Sequence, residues 1–107
     1  MTPLRILFTH GPGDDTRWRA GFDLAQAAAA LYSPLELGFA GDGLQLITLE
    51  ADGTRPASYA RFASLALLDI AAVRVPGPVG RPAALALEPL GDQAWRAWLR
   101  RAALQVW

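Results

Sequence analysis

Four side chains near two glycine-rich stretches could do chemistry: His10, Asp14, Asp15 and Asp42. Three carboxylates and one imidazole would suit a hard, oxygen-preferring cation, and His10 could act as a general base. Each has a plainer reading. Asp14 and Asp15 stand where a helix wants N-caps and first-turn acids, Asp42 sits between Gly41 and Gly43 as a turn residue, and His10 is the chain's one histidine with no nucleophile beside it. The loop His10-Gly11-Pro12-Gly13 also invites a phosphate-binding reading. A dinucleotide fingerprint would need a third glycine where Thr16 stands, and a P-loop would need a lysine. Two carboxylates at that helix start would repel a phosphate. Asp14-Asp15 after a first strand also suggests a phospho-acceptor pocket, but the third strand would run into Val75-Pro76 with no acceptor aspartate.

Composition removes further chemistry. No cysteine is present, so disulfides, thiolate metal sites and cysteine nucleophiles are excluded. All ten basic residues are arginines, which excludes Schiff bases and lysine general bases. The ten arginines balance ten acids, so bulk electrostatics would not hold a nucleic acid. Arg96, Arg100 and Arg101 gather where a last helix should end, a weak candidate for an RNA contact and a natural solvated helix terminus. No catalytic residue, metal ligand or cofactor is expected.

The elements that would position these residues follow from periodicity. Leu4–Phe8 is a short apolar run halted by His10-Gly11-Pro12-Gly13, which predicts a buried strand. Trp18, Phe22, Ala25 and Ala29 share one helical face, and Ser33-Pro34 stops that helix near Tyr32. Leu35–Ala40 predicts a second strand. Leu44–Glu50 is ambiguous between a short extra strand and an extended loop. Ala57–Ile70 predicts a long helix, Ala72–Val75 a third strand and Ala83–Glu88 a fourth. Gly91-Asp92 opens a helix whose Trp95, Trp98, Leu99 and Ala102 form one face, and Leu104–Trp107 is a terminal strand. The alternation predicts a single α/β domain over 1–107, a three-layer α/β/α sandwich around a mostly parallel five-stranded sheet.

No basic n-region with a long apolar core opens the chain, and its longest apolar run, Leu65–Val73, is broken by Asp69. A cytoplasmic protein without membrane contact is the expectation. The second half of the Ala57–Ile70 segment is apolar nearly all round, more than its own sheet could cover. Phe62, Leu65, Leu67, Leu68 and Ile70, with Leu46, Ile47 and Leu49 from the ambiguous segment, are therefore the expected partner interface. His10, Asp14, Asp15, Asp42 and Pro76 form the candidate pocket at the carboxyl ends of the strands.

Five pieces, in order and spacing, give a family resemblance. They are Arg5-Ile6-Leu7-Phe8, Gly21-Phe22-Asp23-Leu24-Ala25, the strand Leu37-Gly38-Phe39-Ala40 ending in Gly41-Asp42-Gly43, Leu67-Leu68-Asp69-Ile70, and Glu88-Pro89-Leu90 before a short helix and strand. Through nearly its whole length the chain resembles the DsrE/DsrF-like family, in its TusC/DsrF branch. The resemblance implies strand order 4-3-2-1-5 and a cytoplasmic hetero-oligomer with paralogous B-like and cysteine-bearing D-like subunits. Such complexes relay sulfur for 2-thiolation of a tRNA wobble uridine, or serve sulfur oxidation. The D-like subunit carries the acceptor cysteine after its third strand, and the C-like subunit mainly builds the assembly. Here that loop reads Val75-Pro76-Gly77-Pro78-Val79, with Pro76 near the cysteine-equivalent position. The expected role is thus a non-catalytic subunit. The alternatives are a stand-alone domain binding a metal or small ligand at the loops after the first two strands, and a homo-oligomeric interaction module.

Overall fold

A computed structural model describes residues 3–31, 34–101 and 104–107. The strands are β1 (Leu4–Phe8), β2 (Leu35–Phe39), β3 (Ala72–Val75), β4 (Glu88–Pro89) and β5 (Leu104–Val106). The helices are α1 (Asp15–Ala30), α2 (Ala57–Ser64) and α3 (Asp92–Leu99). The strands form one sheet in the order β4-β3-β2-β1-β5, and every pairing is parallel. The α/β class and the five-stranded parallel sheet are as the alternating pattern predicts, and the order is the one the resemblance implies.

The order also distributes the helices. From β1 to β4 the chain steps across the sheet in one direction, and from β4 to β5 it jumps back. Crossovers of one hand then put α1 and α2 on one face and α3 on the other. Side chains divide accordingly. Ile6, Phe8, Leu35, Leu37, Phe39, Val73 and Val75 join Trp18, Phe22 and Phe62 in the main core. At its centre, the Phe62 ring meets Phe8, Phe22 and Phe39 edge-on at 5.0–5.3 Å between centroids.

The opposite face is polar. Arg5, Glu36 and Arg74 alternate with the core residues on β1, β2 and β3, and Arg5 and Glu36 are buried. Trp98 of α3 closes over them. Its indole stacks on Trp95 at 5.3 Å, and the Arg5 guanidinium lies 5.2 Å from a Trp98 ring centroid. Arg5 also donates to the Trp98 carbonyl. Glu36 meets Arg74 at 3.4 Å, and Arg74 meets Glu88 at 2.5 Å. Burial lowers the pKa of Arg5; the neighbouring charge of Glu36 opposes that shift and the charge of Arg101 adds to it.

Three sequence expectations are corrected. The first part of Leu44–Glu50 is neither strand nor extended loop, because Gly41–Leu46 forms a 3-10 helix; the rest is a loop in which Thr48 makes a single antiparallel bridge. The long helix over 57–70 ends at Ser64, a 3-10 turn covers Leu65–Leu67, and the chain is extended by Leu68. The fourth strand shrinks to Glu88–Pro89 because the Ala84 N–H goes to the Ile47 carbonyl and Ala83 bridges Thr48, which draws that segment towards the loop after β2. The predicted contributions of Tyr32 and Ala102 lie outside the described residues. Among the described residues, no helix is long and apolar enough to cross a membrane.

Candidate functional site

The residues of the expected pocket each have a local partner or stand exposed. Asp14 caps α1 by accepting from the Arg17 N–H at 3.4 Å, and its carboxylate pairs with the Arg17 side chain at 3.3 Å. Asp15 pairs with Arg19 at 2.7 Å. Both acids therefore serve the helix start and its surface. His10 Nδ1 lies 3.1 Å from the Thr9 hydroxyl, and that hydroxyl lies 3.4 Å from the Trp107 carbonyl. Asp42 is exposed in the first turn of the 3-10 helix, and Pro76 is exposed after β3. Among the described residues no group of three or more acidic or histidine side chains is placed to hold a metal ion.

A cleft does lie among the loops that follow the strands, built from other residues. Pro12, Gln45, Thr48, Leu49, Glu50, Ala51 and Arg81 enclose about 250 Å3. The antiparallel bridge Thr48–Ala83 and the hydrogen bond from Arg81 to the Leu49 carbonyl (3.2 Å) join its walls. None of the five residues expected from the sequence lines it. Glu50 and Arg81 were passed over because neither belongs to a motif; only the folded course of the loops after β2 and β3 brings them together.

The expected partner interface divides in two. Phe62, Leu65, Leu46 and Ile47 are each fully buried in the protein's own core and are unavailable to a partner. Phe62 lies on the face of α2 that packs against the sheet, Leu65 turns inward in the 3-10 turn after Ser64, and the 3-10 helix Gly41–Leu46 and the residue that caps it bring Leu46 and Ile47 into the core. The Ser58 hydroxyl seals that contact by donating to the Leu46 carbonyl at 2.8 Å.

The other half stays outside. Leu67 is 89% exposed and Leu68 36% exposed, with Ile70 and Leu49 half-buried. Leu68 and Ile70 belong to the wall of a largely apolar groove of about 430 Å3, where the turn entering β3 passes the segment before β4 and Glu88 adds a charged group to the lining. Val73 and Leu85 are its buried floor, and Ala66, Ala71 and Ala86 its exposed rim. Leu67 projects beside it. A protruding leucine next to a groove with an apolar floor makes an exposed apolar patch; Leu31 and Val106 are the other large hydrophobic side chains exposed among the described residues.

The loop after β3 carries no nucleophile. Pro76 and Pro78 fix the backbone on both sides of Gly77, whose φ of 142° suits glycine alone. Arg96, Arg100 and Arg101 are exposed at the end of α3 and form no ion pair among the described residues.

Compared with known proteins, the chain matches no family model and no curated protein.

Proposed function

We propose that this chain is a non-catalytic subunit of a cytoplasmic hetero-oligomeric sulfur-relay complex of the DsrE/DsrF-like kind, seating paralogous B-like and cysteine-bearing D-like subunits. The observation that carries the assembly role is the exposed Leu67 and Leu68 beside the groove above Val73 and Leu85. Apolar surface of this shape gains free energy when a partner removes it from water, at about 25 cal/mol per Å2.

Two further features support the sulfur-relay setting. The loop after β3, where the resemblance puts the acceptor in the D-like subunit, reads Pro76-Gly77-Pro78, and the sequence contains no cysteine. Sulfur would therefore pass between partners without a bond to this chain. The sheet order is the one the resemblance implies. The complex would serve thiolation of a tRNA wobble uridine or related sulfur transfer.

The test is transfer of labelled persulfide sulfur between cysteine-bearing D-like and B-like proteins of the DsrE/DsrF-like kind, with and without this chain. Transfer should accelerate when the chain is added, with all label on the partners. An unchanged rate, or label held covalently by this chain, would overturn the reading.

A further inference from the structure

The cleft above the carboxyl ends of the strands holds two opposite charges that do not meet each other. Arg81 is anchored by its hydrogen bond to the Leu49 carbonyl, 3.2 Å away. Glu50 starts a turn closed by the Gly53 N–H on its carbonyl at 2.9 Å, and its own N–H reaches the Thr54 carbonyl at 2.8 Å. Both residues line the cleft, both are exposed, and neither forms an ion pair among the described residues. The rest of the lining is apolar at Pro12, Leu49 and Ala51, with the Gln45 amide and Thr48, whose hydroxyl donates to the Leu44 carbonyl, as further polar groups.

This charge pattern selects against simple ions. An anion drawn to Arg81 meets the Glu50 carboxylate, and a cation drawn to Glu50 meets the guanidinium. A ligand carrying both charges satisfies both walls. A guanidinium with one edge held by the protein can still present N–H groups to a carboxylate. A volume of about 250 Å3 limits the ligand to a small molecule, and the apolar lining suits a short aliphatic side chain. The loops are tied together by the Thr48–Ala83 bridge, so the two charges are presented without prior ordering of either wall.

We propose that this cleft binds a small α-amino acid as its zwitterion, the carboxylate at Arg81 and the ammonium at Glu50. The site is separate from the apolar groove and does not depend on the assembly reading.

Calorimetric titration of the protein with L-alanine, propionate and propylamine tests it. L-Alanine should bind, with propionate and propylamine each weaker by about tenfold or more, because each lacks one charged contact. Arg81→Gln and Glu50→Gln should each weaken L-alanine by about tenfold. Arg96→Gln, on α3, should leave it unchanged, and thermal unfolding should report all three variants folded. Absence of heat with L-alanine, propionate binding as tightly as L-alanine, or either cleft variant binding like the parent would overturn the proposal.

Discussion

The Trp98 indole N–H donates to Glu36 Oε1 at 3.0 Å, joining the helix α3 to a strand 62 residues earlier in the chain. This bond ends a buried polar strip in which Glu36 faces Arg74, with Arg5 in contact with the Trp98 ring and carbonyl. Removing the acid leaves buried positive charge facing a neutral group, and that loss exceeds the value of one hydrogen bond. Glu36→Gln should keep an acceptor for the indole yet destabilise the fold by about 3 kcal/mol, read from denaturant unfolding. A loss under about 1 kcal/mol would mean that the strip contributes only packing.

Gly38 makes room for the same tryptophan. A Cβ there would stand 2.6 Å from Trp98 Cη2 and 2.7 Å from Cζ3, closer than carbon atoms can approach. Gly38→Ala should therefore cost about 2 kcal/mol by overpacking. A smaller ring should relieve the clash, so in a double-mutant cycle with Trp98→Phe the two losses should sum to more than the double variant loses. Additive losses would contradict the packing of α3 described above.

How much of this was legible beforehand depends on the kind of interaction. The strands β1, β2 and β3 and the helix α1 were readable because their apolar runs and Gly-Pro stops are local signals. The polar face was not, although its signal was present: Arg5, Glu36 and Arg74 each interrupt an apolar strand on the side opposite the core. Phe62 lies inside the helix as expected but on its sheet-facing side, which an apolar run without a polar face does not reveal, and Leu65 falls past Ser64, where the backbone tightens to a 3-10 turn and carries it inward. The cleft was invisible because Arg81 and Glu50 converge only through a long-range bridge at Thr48 and Ala83.

The two halves of the expected interface should now behave oppositely. Phe62→Ala removes the ring at the centre of the aromatic core and should cost about 4 kcal/mol. Leu67→Asp, at a position 89% exposed, should leave stability within about 0.5 kcal/mol of the parent and abolish association with partner subunits. Thermal unfolding and mass-resolved sizing of the same samples separate the two effects. A Leu67→Asp protein that still associates fully would remove the groove from the interface.

Asp52 offers a test by pH. Hydrogen bonds from the side chain and backbone of Thr54 hold its carboxyl below the ordinary carboxylate range. The folded pKa then lies below the unfolded one. The stabilisation is fully present above about pH 4 and is lost as pH falls through the folded value. Carboxyl titration followed by NMR should show Asp52 titrating below the other exposed aspartates, and Thr54→Ala should raise it. A parent Asp52 that titrates with the others would contradict this account of the turn.

The most direct test of the proposed assembly role is mass-resolved size-exclusion of this chain co-expressed with the B-like and cysteine-bearing D-like proteins that the proposal names as partners. The account predicts one species containing all of them, dispersed by Leu67→Asp. A chain that elutes alone at 11.5 kDa in their presence would contradict it.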